Sequence, residues 1–429
     1  MAAFSGKFQY RDAGDRLLDQ GACEVSFNTE TCVIAPAASA PMAFDLGDID
    51  VAVAADYDLT LRLYNEKRIV LRQFGPTFGR MRDELIAAWR MRTVRCLLLE
   101  DLAELGRFNG AVNGAASEIR VYGSNLAVLP LAGKPFQRRL AEADSIRFDE
   151  SAYAYTISFG AEKLSVAKLG PKTGEFGEKL RAAFGALQRH SAEALHLTFP
   201  FLSPDEVRAL VEAAPEGRSL KLSTMREIHP DLPDALLSRV VDDGLRPYFE
   251  SLRKRSVPDA LMTGFKFVRC DEGGSRPGAP AAEEASEAEA ATSEGGDSEA
   301  GTEAAAGEAG PNAAPPLFFW FFFPLPGRNV VAWEAATGSG RATYFFRAAE
   351  PVAESIGRLT RGLSLVNFRR EPVYLPDASL DREAKYHRYA IGRRKLAELA
   401  ELRAAFLGRA IHSSVDAWQH QVDEVIARA

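Results

Sequence analysis

Hydrophobic and polar positions follow two periods along this chain, and the change from one to the other occurs twice in the same order. Leu59, Leu61 and Leu63 alternate with Thr60 and Arg62, and Ile69 and Leu71 resume the alternation after Asn65-Glu66-Lys67. That is the period of half-buried strands joined by a hairpin turn. Shorter runs of the same kind lie upstream at 24–27, at 32–35 and around 49–53. The period then lengthens. Phe78, Met81, Leu85 and Trp89 recur at steps of three and four, which places them on one stripe of a helix. Such a stripe covers something apolar, most simply the open end of its own sheet. The plan returns with strand-like runs at 118–122, 126–129, 145–148, 153–159 and 163–169, closed by a helix carrying Phe176, Leu180, Phe184 and Leu187.

The repeat is also one of residues. Gly75-Pro76-Thr77-Phe78-Gly79 comes back as Gly170-Pro171-Lys172-Thr173-Gly174, 95 positions on, and each leads to a Leu-x-Ala-Ala-aromatic run ending at Trp89 or Phe184. Upstream, Glu24, Pro36, Pro41 and Asp50 have counterparts 94 positions on in Glu118, Pro130, Pro135 and Asp144. Gly6-Lys7-Phe8 and Gly106-Arg107-Phe108 read as the two openings of one phrase. Asn109-Gly110 and Asn113-Gly114 favour positive φ and predict a connector or tight hairpin. The glycines of 106–114 lack the Gly-Lys-[Ser/Thr] ending of a phosphate loop, which excludes that chemistry.

From Ser203 the pattern turns helical. Ser203-Pro204-Asp205-Glu206 has the form of a capping box with proline at the first helical position, and Leu236, Leu237, Val240, Val241, Leu245 and Phe249 supply an apolar stripe further on. Residues 263–269 read as a strand. The segment 271–315 is built of Ala, Glu, Gly, Ser and Pro without a large apolar residue, and such a composition predicts disorder. Strands are expected again at 317–323, 329–335 and 341–347, then a helix with Val352, Ile356, Leu359 and Leu363. The chain therefore divides into β units at 1–104 and 105–202, a helical insert at 203–257, a third and divergent β module at 258–365 interrupted by the acidic loop, and a helical tail at 366–429, where Leu396, Leu399, Leu402 and Phe406 form the apolar stripe.

Charge changes this picture only locally. The net charge of −7 is concentrated in 271–315, so the remainder of the chain is slightly positive. Cys23, Cys32, Cys96 and Cys270 are far apart with no Cys-x-x-Cys, which argues against a zinc site or disulfide framework and for thiols in a reducing compartment. The residues up to Asp12 lack the apolar run of a secretory signal, and the longest apolar run, Leu317 to Phe323, is far short of the roughly 20 residues of a membrane span. A cytoplasmic location is expected.

Candidate chemistry is sparse. His412, Asp416 and His420 recur at four-residue steps, so on a helix two imidazoles and a carboxylate would share one face at a spacing able to hold zinc. The competing reading is a solvated face opposite Trp418, Val422 and Val425, and no metal or other cofactor is expected. Asp242 and Asp243 diverge by about 100° on a helix and do not converge on one ion. No Gly-x-Ser-x-Gly occurs. A strand over Leu317–Phe323 must be covered on both faces, as a central strand or through a partner contact involving Phe319, Phe321 and Phe323. Arg369, Arg370, Arg393 and Arg394 lie in the densest basic region and complete the candidate interface; interleaved acidic residues make that region a solvated surface, and nucleic acid is not expected.

In architecture the units resemble the pleckstrin-homology superfold, a β-sandwich or partly open barrel closed by a C-terminal helix that carries an aromatic residue, here Trp89 and Phe184. The resemblance covers about 5–190 and, less closely, 260–365. It implies an α+β fold and the binding of phosphoinositide head groups or peptides, seldom catalysis. Lipid-binding members place several Lys and Arg around the first hairpin, whereas the matching turns here, Asn28–Thr31 and Tyr122–Asn125, have only Arg120 nearby. The expected function is a non-catalytic adaptor or scaffold that binds another protein. A peripheral protein of anionic membranes and a metal-dependent enzyme using the His412 face are the alternatives.

Overall fold

The computed structural model describes residues 3–160, 162–215, 217–267, 317–336 and 341–429. Over these residues the chain is α+β, with three antiparallel sheets among them. It divides into two compact units, one holding Met1–Gly185 and Asp377–Ala397 and the other Ala186–Pro376 and Glu398–Ala429. The acidic loop at 271–315 lies outside the described residues.

In the first unit, β1 (Ala3–Arg11), β2 (Leu17–Phe27), β3 (Thr31–Pro36), β4 (Met42–Asp45), β5 (Ile49–Ala55), β6 (Asp58–Leu63) and β7 (Arg68–Arg72) form one sheet in the order β4-β3-β2-β1-β7-β6-β5. β4 and β5 are its two edges, yet a single 3-10 turn, Leu46–Asp48, joins them. The sheet must therefore curl until its edges approach at that corner. Helix α1 (Phe78–Cys96) lays Phe78, Met81, Leu85 and Trp89 against the inner residues of the sheet, including Phe8, Val25, Ile34, Leu59 and Leu71, in one apolar core. Trp89 Nε1 donates to the Ile49 carbonyl at 3.0 Å, which ties the helix to the corner.

A second sheet repeats this order as β11-β10-β9-β8-β14-β13-β12, from β8 (Glu104–Val112), β9 (Ala115–Tyr122), β10 (Asn125–Pro130), β11 (Phe136–Arg139), β12 (Ser145–Asp149), β13 (Ala154–Phe159) and β14 (Glu162–Ala167). Helix α2 (Thr173–Thr198) follows; Phe176, Leu180 and Leu187 of its stripe are buried, and Phe184 is half-buried. The Gly-Pro turns match in detail. Gln73 and Gly75, and in the second sheet Lys168 and Gly170, all have positive φ, and the amides of Thr77 and Lys172 donate to the carbonyls of Phe74 and Leu169 at 3.2 and 3.3 Å.

Strand register corrects one part of the repeat. Cys23 faces Pro36 as Ser117 faces Pro130, which supports the spacing of 94. Phe8, however, faces Gly21 and Leu71, and the counterparts of those two, Ala115 and Val166, both face Val112. Val112 rather than Phe108 is thus the equivalent of Phe8. The true echo is Phe4-Ser5-Gly6 with Phe108-Asn109-Gly110. Both glycines are needed for close packing: a Cβ at Gly6 would lie 2.7 Å from the Phe74 ring, and one at Gly110 would lie 2.9 Å from Leu169, the counterpart of Phe74. The misalignment comes from the first hairpin, which is ten residues longer in the first sheet; Asn113-Gly114, with φ of 50° and 85°, closes its short version, while Asn109-Gly110 lies inside β8.

The other unit carries α3 (Pro204–Ala213), β15 (Ser219–Lys221), α4 (Leu222–Ile228), α5 (Leu232–Val240), α6 (Arg246–Arg255), β16 (Met262–Phe267), β17 (Leu317–Leu325), β18 (Val330–Ala336), β19 (Ala342–Arg347), α7 (Val352–Leu365) and α8 (Glu371–Tyr374). The chain enters the first unit for α9 (Asp377–Arg382) and α10 (His387–Lys395) and returns through α11 (Ala397–Ala405), β20 (Phe406–Ile411) and α12 (Val415–Arg428). The third sheet runs β15-β16-β17-β18-β19-β20. It draws strands from stretches that the sequence reads as helical insert and helical tail. Phe406, assigned from its spacing to a helical stripe, instead pairs with Phe346 on β19. The run in β17 is covered on both faces. Phe319, Phe321 and Phe323 enter a core with Leu210, Leu236, Phe249 and Trp418, while Phe318 and Trp320 pack on Phe368 with ring centroids 5.1 and 4.1 Å apart. None of the three phenylalanines is more than 4% exposed, so they are core and present no surface to a partner. Gly264 on β16 makes room for Trp320, since a Cβ there would come within 2.3 Å of the indole.

Candidate interaction site

The corner between β4 and β5 concentrates carboxylates. Asp45, Asp48 and Asp50 are spaced around the 3-10 turn, so the turn itself fans them across one end of the curled sheet. Asp45 accepts the Gly47 amide at 2.6 Å and grips the Arg92 guanidinium in a fork at 2.8 and 2.6 Å, which anchors the corner to α1. Glu100 and Asp101, just beyond α1, add to the same acidic surface.

The segment 377–397 lies on this corner. On α10, His387, Ile391 and Arg394 fall at steps of four and three, and Lys395 follows, so they share one flank. Arg394 meets Asp48 at 2.6 Å and covers the Tyr64 ring at 4.6 Å. Lys395 reaches the Ile49 carbonyl at 2.8 Å and Asp50 at 3.2 Å, where Lys134 also pairs at 3.1 Å. Arg388 pairs with Glu100 at 2.6 Å and Asp101 at 3.1 Å, and His387 stands 3.9 Å from Asp45. Ile391 is fully buried beside these charges, as are Tyr389 and Ala390, and Gly47 leaves it room: a Cβ there would meet Ile391 at 3.0 Å and Cys96 at 2.7 Å. Burial raises the Asp48 carboxyl despite Arg394 beside it. Burial also acts to raise Glu100, but hydrogen bonds from Arg95 and Arg388 outweigh it and hold the group below the usual carboxylate range.

The second sheet has a different corner. Its equivalents of Asp45, Gly47 and Asp48 are Arg139, Ala141 and Glu142 around the turn Leu140–Glu142. Gln137 on β11 donates to the Leu97 carbonyl at 2.8 Å, and Arg90 of α1 pairs with Glu118 on β9 at 2.9 Å, so the first closing helix and the residue after it serve the second sheet. Asp144, the counterpart of Asp50, is exposed.

Of the candidate arginines, Arg370, Arg393 and Arg394 are taken up inside the chain. Arg394 is described above, and Arg393 pairs with Asp377 and, at 2.9 Å, with Asp381 of the same segment. Arg370 is 2% exposed and Arg369 half-buried. The zinc geometry does not form. Helix α12 starts at Val415 with Ser414 as its cap, so His412 precedes it and shares no face with Asp416 and His420, both exposed. The His412 side chain is 1% exposed and stacks on Tyr248 at 4.0 Å, with Nε2 3.0 Å from the Thr343 hydroxyl and 3.4 Å from Glu334. No group of three or more His, Cys, Asp or Glu able to hold a metal occurs among the described residues. Burial pushes the thiols of Cys23 to about 11 and of Cys32 and Cys96 to about 12, which leaves them without nucleophilic thiolate at neutral pH.

Sequence reasoning noted Asp50 as a repeat marker and missed Asp45, Gly47, Asp48, Glu100 and Ile391. The available signal was the contrast of Asp45-Leu46-Gly47-Asp48-Ile49-Asp50 with its repeat partner Arg139-Leu140-Ala141-Glu142-Ala143-Asp144. No protein-family model matches the chain, and no curated protein matches it. Among the described residues no helix is long and apolar enough to cross a membrane.

Proposed function

We propose that the chain is a cytoplasmic, non-catalytic scaffold that binds another protein through tandem pleckstrin-homology-like units. The observation that carries this is the first corner, where a folded β unit already grips a basic helix supplied by a distant part of the chain. The shared strand order, edge-joining turn and closing helix of the first two sheets support the tandem resemblance. An anionic membrane fits less well, because Arg120, the basic residue beside the turns that match the lipid-binding hairpin, is buried and paired with Glu118 at 2.7 Å. Affinity capture with the intact chain from native cytosol, read by mass spectrometry, tests the proposal. A stoichiometric protein partner at physiological salt is expected. No partner in repeated trials, together with binding to vesicles of anionic lipid, would overturn it.

A further inference from the structure

Resting on that scaffold reading, we infer that the acidic corner of the first β unit is a receptor for basic amphipathic helices, and that residues 377–397 are its built-in occupant, which a partner's helix displaces. Complementarity fixes the class of partner. The corner offers Asp48, Asp50 and the Glu100–Asp101 pair to three cations, and Gly47 leaves a hollow that takes one branched aliphatic side chain. A ligand helix therefore needs an isoleucine-like residue flanked by Arg or Lys one turn before it and one turn after it, as Arg388, Ile391, Arg394 and Lys395 are arranged.

Two features make displacement feasible. The apolar core of the first β unit that runs from Phe4 to Trp89 takes no residue from 377–397, so the segment is not needed to fill the inside of the curled sheet. The pairs of Arg388 with Glu100 and Asp101 and of Arg394 with Asp48 are partly exposed, so salt and a competing cation reach them, whereas the Lys395–Asp50 pair and the side chains of Tyr389, Ala390 and Ile391 are buried and are what an incoming helix must replace. The second corner keeps acidic residues at Glu142 and Asp144, but Ala141 fills the place of Gly47 and Arg139 stands where Asp45 is, so the hollow for the aliphatic side chain is lost and a cation is added.

The test uses the full chain and a labelled synthetic peptide of residues 377–397. In the variant Arg388→Gln/Arg394→Gln the cis segment loses two of its three cationic ties to the corner, and circular dichroism checks that the fold is kept. The peptide is expected to bind this variant at least tenfold more tightly than the wild type, to lose affinity as salt rises, and to lose it again when Asp48→Lys is added. A folded variant that binds the peptide no better than the wild type would overturn the inference. So would a captured partner that excess peptide fails to displace; in that case the scaffold reading stands and only the assignment of its site falls. Should the double variant not fold, Arg394→Gln alone is measured against the same peptide, with a smaller gain expected and no gain counting against the receptor.

Discussion

The two seven-stranded sheets of the first unit share their strand order, their Gly-Pro turn and their closing helix, but their corners have diverged. One corner carries Asp45, Gly47 and Asp50 and is occupied by α10; the other carries Arg139, Ala141 and an exposed Asp144 and adjoins the end of α1. The features held in common are those that close the core. Those that differ lie where the edge strands meet, which is where a curled sheet has backbone and side chains to offer another segment. A duplicated fold thus keeps its packing while the edge-joining turn acquires separate chemistry.

The largest expected contrast is between the paired aspartates. Asp50→Ala leaves Lys395 buried without its carboxylate and should cost about 3–5 kcal/mol, whereas Asp144→Ala at an exposed site should cost about 1 kcal/mol or less. Urea denaturation of the two variants measures this, and equal losses would contradict the difference between the corners. Next come the small residues. Gly47→Ala drives a methyl against Cys96 and Ile391 and should cost about 1–3 kcal/mol. Ala141→Gly should cost about 1 kcal/mol or less, mainly in chain entropy.

How far this was legible in the sequence differs between core and corner. Alternating Leu59, Leu61 and Leu63 and the stripe ending at Trp89 foretell strands and helix, because burial enforces periodicity. The opening phrase was misread by four residues. Gly6-Lys7-Phe8 and Gly106-Arg107-Phe108 look alike, but hairpin length is free to change and only pairing shows that Gly6 corresponds to Gly110. The occupant of the first corner was invisible. Arg394 and Asp48 are 346 positions apart, and nothing local to a basic run says which carboxylates it will meet. Likewise His412 was given a helical face because a four-residue spacing does not show where a helix begins; Ser414 decides that.

Acid should sharpen the comparison further. The folded pKa of Glu100 lies below its unfolded value, so its contribution to stability is present above roughly pH 4.3 and is lost as pH falls through the lower folded value. Asp48 acts in the opposite sense, since burial favours its neutral form in the folded chain. Acid unfolding of Arg388→Gln should therefore depend less on pH below about 4.3 than that of the wild type; an unchanged profile would remove Glu100 from the account. The smallest effect is expected at Arg80, whose ion pair with Glu84 is on the surface of α1: Arg80→Ala should leave the urea midpoint unchanged, as a control in the same series.

The measurement that most directly tests the central claim is hydrogen exchange of the intact chain at low and high salt. If the first corner holds a displaceable helix, the amides of α10 exchange ahead of β1 and β7, and salt accelerates them while leaving the end of α1 over the second sheet unchanged. If α10 exchanges together with β1 and β7 and does not respond to salt, the segment is a fixed part of the fold and the corner is no receptor.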